Sequence, residues 1–436
     1  MSLEKTYPAT VRTHPTMPSR RALLATCAST GASAVLAGCS DLRGGSEPDV
    51  DAAWPQRGRD GTRTGTRSSG PAPPLTDAWT YDGDAGFGGI DCSPVLADGR
   101  VYLAYTADRS DERAAVVDAI DAATGERRWS TTAATTAEPI QRTHAYADSL
   151  AVAGDAVLLQ TATGLVALEV EDGSERWHVD NVGDGQLGST PVHPGVGDGV
   201  VFAGYYRHGR SESRPLIYAI DLEEGAERFR FEIDWDERLV YAPAVRDGVV
   251  YAAVAGGGVK AIDAADGTER WSERLPVYGV PAVTGESVFV GVDGDPSGVV
   301  ALSTDTGERR WSRTDGSEST VPFGVAVADG TVYYAAMDRL VARDAATGER
   351  RWTTGGQGSE RIFYGAPVVG GDYLYGTGSS LFAADRATGE LQWQGPDGWT
   401  VGSPALADDL LYVSLEHGTL AALSECRTEL FGRCLR

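Results

Sequence analysis

A chain of 436 residues carries 62 Asp and Glu against 38 Lys and Arg, a formal net charge of −24. That balance argues against a nucleic-acid binder, which needs clustered cations for phosphate, and against electrostatic docking on anionic lipid. Hydrophobic residues make up 42%, enough for a folded core and too many for a disordered acidic tail, while 55 Gly against 3 Met favours strands and tight turns.

Lysine occurs only at Lys5 and Lys260, so nearly every cation is arginine. Many carboxylates, almost no lysine and a large negative charge resemble the proteins of salt-in halophiles, in which dense salt screens the self-repulsion. In chain order, Ser19-Arg20-Arg21-Ala22-Leu23-Leu24 resembles a twin-arginine export signal. A short apolar stretch follows, then Leu36-Ala37-Gly38-Cys39, which resembles a lipobox. The stretch is too short and too rich in Ser, Thr and Gly for a confident membrane span. Residues 1–38 are therefore expected to be an export signal with Arg20 and Arg21 at its head. Cys39 is expected to carry lipid, and residues 39–53 to form a polar tether.

The middle of the chain is governed by a repeat. It begins with Ala119-Ile120-Asp121-Ala122-Ala123-Thr124-Gly125-Glu126-Arg127-Arg128-Trp129 and returns at Ala167–Trp177, Ala219–Phe229, Ala261–Trp271, Ala301–Trp311, Ala342–Trp352 and Ala383–Trp393. In all seven copies Gly stands six residues after Ala and an aromatic ten after it. The segment before Asp reads as a strand, Asp opens a turn by accepting local N–H groups, Gly supplies φ > 0, and a second strand ends in the aromatic. Two further strands precede each copy, one marked by Pro as in Tyr241-Ala242-Pro243-Ala244-Val245, and one alternating as in Val249-Val250-Tyr251-Ala252-Ala253. Four strands recurring every 40–52 residues are propeller blades.

After Trp393 come three strands without a fourth, around Pro404 to Leu406, Leu410 to Leu415 and Thr419 to Leu423. Ahead of the first copy lies a lone strand, Leu75 to Tyr81, with Trp79 at the aromatic position. The lone strand is expected to complete the last blade, giving an all-β, eight-bladed β-propeller over residues 54–424, closed between its two ends. The eight docking aromatics are then Trp79, Trp129, Trp177, Phe229, Trp271, Trp311, Trp352 and Trp393. Residues 425–436 form a tail whose Cys426 and Cys434 are the candidate disulfide, because export permits one.

The eleven-residue pattern resembles the tryptophan-docking motif of quinoprotein alcohol dehydrogenases and, more broadly, the PQQ-binding-like propeller repeat. With the lipobox, the chain also resembles the lipid-anchored scaffold propellers of outer-membrane assembly. For the dehydrogenases the resemblance implies an adjacent cysteine pair against the quinone, carboxylate and amide ligands for calcium, and an Asp base. This chain has no Cys-Cys pair and no recognisable match for the other positions. The expectation is a binding scaffold without catalysis, no cofactor and no metal, with a PQQ-dependent dehydrogenase as the alternative. Asp293-Gly294-Asp295-Pro296-Ser297-Gly298 opens like a calcium loop, but its twelfth position is Thr304 where a bidentate Glu is needed.

Binding residues are suggested by where extra length falls. Spacings between successive aromatics are 50, 48 and 52 up to Phe229, then 42, 40, 41 and 41. The surplus lies in Ala104 to Ala115, Ser130 to Tyr146, His178 to Thr190 and Gly204 to Pro215, all predicted to emerge as loops on one face. Tyr205, Tyr206, Arg207, His208, Arg210 and Arg214 concentrate aromatics and cations there, as interfaces do. Tyr241, Tyr278, Tyr364 and Trp399 each precede an innermost strand on that face, where they would either ring a ligand funnel or pack between blades. The expected setting is the outer face of a cell membrane, reached through the lipid anchor. The expected partner is another surface protein or a small ligand, not nucleic acid, with the chain itself monomeric.

Overall fold

Eight four-stranded antiparallel blades make up a computed structural model, and Thr66–Arg67 adds a fifth, parallel strand to the blade that begins with Phe363–Gly370. The structure describes residues 54–434 apart from 55, 57, 84–92, 110–111, 137–149, 162–163, 181–192, 208–213, 235–239, 295–296, 315–321, 337, 356–362, 396–399, 408, 416–418, 428 and 431–432. Residues 1–53 lie outside the described residues. Blades 1–7 span 95–136, 150–180, 195–232, 244–273, 282–314, 325–355 and 363–394. Blade 8 combines Thr400–Leu406, Leu410–Leu415 and Thr419–Glu425 with Leu75–Asp82, which pairs antiparallel from Leu75↔Glu425 to Asp82↔Thr419. The chain is an eight-bladed β-propeller whose ring is closed by its own N-terminal strand.

Strand position within a blade decides composition. The second strands are sandwiched between neighbouring sheets, so both faces are apolar: Val249–Val254, Ser287–Val292 and Thr331–Ala336 are buried throughout. The outermost strands face solvent, as in Glu227–Glu232.

The repeat's fixed residues explain one another. Ala, the first residue, lies directly opposite the aromatic, as in Ala119↔Trp129, Ala261↔Trp271 and Ala342↔Trp352. A bulge just before the aromatic leaves one extra residue in the outer strand. In five blades that extra residue is an arginine whose guanidinium turns back to the acid seven positions earlier: Arg128–Asp121, Arg176–Glu169, Arg228–Asp221, Arg270–Asp263 and Arg351–Asp344, at 2.5–2.8 Å. In the four Asp copies the other oxygen caps the turn, as Asp121 Oδ1 accepts the Ala123 and Thr124 N–H groups at 3.1 and 2.9 Å, whereas Glu169 gives both oxygens to Arg176.

The aromatic and the glycine meet across blades. Trp129 lies flat on Gly173 of the next turn, where a Cβ would stand 2.5 Å from the ring, and Trp271 lies likewise on Gly307. Six indole N–H groups reach the carbonyl three residues after the next copy's Ala: Trp79 to Ala122, Trp129 to Val170, Trp177 to Leu222, Trp271 to Thr304, Trp311 to Ala345 and Trp352 to Arg386, at 2.8–3.1 Å. Gly therefore serves twice, for a positive φ near +70° and for a bare surface on which the ring docks.

Two sequence expectations are corrected. The surplus between the second and third strands of blades 1 and 3 is not loop but extended ladder. Arg100–Arg109 pairs with Glu112–Asp121 out to Arg109↔Glu112, and Val200–Arg207 with Arg214–Asp221 out to Arg207↔Arg214. Antiparallel pairing satisfies the backbone of a long two-stranded excursion, which an irregular loop of that length would leave to solvent.

Candidate functional site

The two ends of the ring differ. One end carries the turns that follow the innermost strands, such as Asp98-Gly99 and Asp247-Gly248, and across it runs the N-terminal segment 54–74. Trp54 bridges Leu96 of blade 1, and Gln56 bridges Ala151 of blade 2 and accepts the Val196 N–H of blade 3 at 3.3 Å. The carbonyls of Gly61, Thr62, Thr64 and Gly65 then accept N–H groups of Val245, Val283, Val327 and Val369, in blades 4, 5, 6 and 7, at 2.7–2.8 Å. The segment next enters blade 8 as Leu75–Asp82. One strap thus touches every blade in order before it closes the ring.

Arg63 stands inside the channel. It is 4% exposed; its Nε donates to the Pro243 carbonyl at 2.8 Å and its guanidinium to the carbonyls of His193 and Pro194 at 3.2 and 3.1 Å. Beside it, Gly58 and Gly65 of the strap and residues at the innermost strands of blades 5–8 line a small, half-open pocket.

The opposite end receives the connections that precede each innermost strand. Here Tyr241, Tyr278 and Phe323 of blades 4, 5 and 6 meet edge to face, with centroids 5.8–6.3 Å apart. Tyr241 is buried, and burial pushes its hydroxyl pKa up. Tyr278 is 39% exposed, the one exposed large hydrophobic among the described residues. The paired ribbons of blades 1 and 3 project on this same side.

Of the predicted binding residues, Tyr241 and Tyr278 are brought together. Tyr205 is instead buried, edge to face with Tyr218 at 5.6 Å; as inter-blade packing it is not an exposed anchor, because its side of the strand faces blade 2. Tyr206, Arg207 and Arg214 lie on the blade 3 ribbon, where Tyr206 pairs with Pro215 and Arg207 with Arg214. Tyr364 is the second residue of blade 7's first strand, opposite Thr377. His208, Arg210 and Trp399, together with Arg20, Arg21 and Cys39, lie outside the described residues. Cys426 and Cys434 form a disulfide with Cα atoms 5.6 Å apart. Ser287–Val292 and Gly298–Ser303 pair antiparallel with Val292 opposite Gly298, while Asp295 and Pro296 of the calcium-loop-like segment lie outside the described residues. Among the described residues no cluster of His, Cys, Asp and Glu is arranged to hold a metal, and no helix is long and apolar enough to cross a membrane.

Sequence reasoning missed Phe323 and Arg63. Phe323 stands in the same column as Tyr241, four residues before the strap-bonded Val327 as Tyr241 is before Val245, so aligning the innermost strands would have marked it. Arg63 precedes the repeats altogether.

A family profile described as outer membrane protein assembly factor BamB matches residues 76–208 and 213–426. A curated protein of that name from Xanthomonas campestris pv. campestris is 30% identical over 102 residues, which is 22% of this chain and 23% of the relative's length. Among solved structures, quinohemoprotein alcohol dehydrogenase from Comamonas testosteroni superposes with a TM-score of 0.68 at 16% identity, over 89% of this chain and 83% of that one. BamB from Moraxella catarrhalis superposes with a TM-score of 0.59 at 16% identity, over 82% of this chain and 100% of that one. At such identities the structural likeness speaks for the fold alone.

Proposed function

The chain belongs to the family of outer membrane protein assembly factor BamB, and from that membership we propose that it is a non-catalytic scaffold that holds a partner protein on one face. In this reading it is exported, anchored through lipid on Cys39 at the outer face of a membrane, and binds with the end of the ring opposite the strap. The observation that supports it is the asymmetry of the ring. One end is occupied by 54–74, while the other carries the ribbons of blades 1 and 3 and the Tyr241–Tyr278–Phe323 cluster. Exposed tyrosine backed by packed aromatics is the surface chemistry of an interface anchor.

The test is copurification of the tagged full chain from solubilised membranes in high salt. A specific partner should be recovered, and should be lost with Tyr278→Arg or when 207–214 is replaced by a two-residue turn. Cys39→Ser should release the protein from the membrane fraction. The competing reading is a PQQ-dependent dehydrogenase, because the fold is shared with quinohemoprotein alcohol dehydrogenase. Alcohol-dependent dye reduction by the purified chain, supplied with PQQ and calcium, would establish it and overturn the scaffold.

A further inference from the structure

Tyr278 lies on the connection from blade 4 into blade 5, and a short ladder fixes what stands beside it. Val277 bridges Val292, the Tyr278 N–H donates to the Gly291 carbonyl at 2.9 Å, and the Asp293 N–H donates to the Pro276 carbonyl at 2.7 Å. Side chains alternate along such a ladder. Val277 and Val292 therefore share a buried face, while Pro276, Tyr278 and Asp293 share the opposite one, and all three are exposed. Asp293 is the diagonal neighbour of Tyr278, and diagonal neighbours stand about 7–8 Å apart, close enough for one long side chain to touch both. Burial first raises the Tyr241 hydroxyl pKa and the Asp293 carboxylate adds to it, so the field of that carboxylate reaches the aromatic cluster. No cation pairs with Asp293 among the described residues, and Arg274, the cation on the same connection, has contacts of its own.

The rings of Tyr241 and Phe323 stand at 61° and 75° to that of Tyr278 and support it edge to face, while 39% of Tyr278 meets solvent. A supported, exposed ring beside an unpaired carboxylate attracts a cation, because the ring face carries quadrupole charge and the carboxylate a full one. Among the cations a protein can offer, guanidinium suits both groups. It is planar and weakly hydrated, it stacks on a ring, and it forks onto a carboxylate. A neutral side chain would use the ring and leave Asp293 idle. The net charge of −24 likewise favours a basic partner. Building on the scaffold reading, we propose that the partner protein presents an arginine, whose guanidinium stacks on Tyr278 and pairs with Asp293.

The experiment labels the full chain with 3-fluorotyrosine and titrates it with N-acetyl-arginine amide. The fluorine resonance of Tyr278 is assigned by its loss in Tyr278→Phe. It should shift saturably with the arginine amide. N-acetyl-citrulline amide, the neutral compound of the same shape, should bind about three- to thirty-fold more weakly. Asp293→Asn should weaken the arginine amide about two- to five-fold; the residue is exposed, so the variant is expected to fold. A resonance that ignores the arginine amide, equal responses to arginine and citrulline, or an Asp293→Asn chain that binds as wild type would each overturn the proposal. Failure of the scaffold reading looks different: no protein copurifies with the full chain, yet the arginine amide still shifts Tyr278. A copurifying partner together with a silent Tyr278 resonance overturns the arginine site alone.

Discussion

The docking of each indole on the next blade's glycine makes a quantitative prediction at blade 2, which contains a matched pair of glycines. Gly173 has φ +73° and Gly154 φ +53°, so alanine at either pays the left-handed cost of about 1–2 kcal/mol. Only Gly173 faces a ring. A Cβ there would lie 2.5 Å from Trp129, whereas one at Gly154 would meet nothing within 4 Å. Gly173→Ala must therefore also displace the indole. That adds an overpacking cost of about 1–3 kcal/mol and endangers the 3.0 Å bond from Trp129 Nε1 to Val170, worth about 0.5–1.5 kcal/mol. The expected losses are about 1–2 kcal/mol for Gly154→Ala and about 3–5 kcal/mol for Gly173→Ala. Urea unfolding followed by tryptophan fluorescence measures both, and an unchanged m-value shows that the comparison is of stability alone. Equal losses would refute the argument, because they would mean that the glycine is kept for its φ and not for the ring it supports.

Three further outcomes follow from single contacts. Blade 3 carries Phe229 where the other blades have Trp, and the carbonyl in register with the other indole acceptors is that of Ala264. Phe229→Trp is expected to add that bond and stabilise by about 0.5–1.5 kcal/mol in urea unfolding; a loss of stability would show that the seam between blades 3 and 4 has no room for an indole. Tyr81 donates to the fully buried Asp118 at 2.6 Å, which ties the closing strand to blade 1. Tyr81→Phe should cost about 1–3 kcal/mol, read in the same unfolding experiment; a neutral result would show that Asp118 does not depend on it. Asp344 is held down to about 2, first by the hydrogen bond from Arg351 and then by the Thr347 N–H. Against an unfolded value of about 3.9, its contribution is whole above that pH and is lost as pH falls through about 2. Asp344→Asn should therefore flatten the acid limb of stability between those values, as measured by unfolding midpoints against pH.

The blade count was legible because every blade repeats the same contact. Ala opposite Trp, Gly beneath the next Trp and Asp capping the turn each leave a residue type at a fixed interval. The bulge was not legible as such, although its trace is there in the arginine that precedes the aromatic at 128, 176, 228, 270 and 351. What a bulge does is visible only when two strands are paired. The ribbons were misjudged for a related reason. Long segments with Gly, Ser and Arg, such as 204–215, look like loops, and only cross-strand pairing such as Tyr205↔Leu216 turns them into ladder. The candidate site was half legible. Tyr241, Tyr278 and Phe323 stand at equivalent turns of the repeat, and what the spacing did not contain is that the three rings meet edge to face.

The strap changes how closure should be understood. Strand Leu75–Asp82 alone would be a latch between the chain's ends, held by blade 8 on its inner edge and by Trp79 and Tyr81 against blade 1. The preceding residues make it more than a latch. Val245, Val283, Val327 and Val369 each give the strap a backbone hydrogen bond, so blades distant in sequence share one short partner. Nearest-neighbour stacking makes a repeat array stable in proportion to its local interfaces. A segment bonded to every blade couples those interfaces, and it does so across the width of the ring. Loss of the strap should therefore weaken blades 4–7, which are far from the closing strand in sequence, as well as the seam between blades 8 and 1.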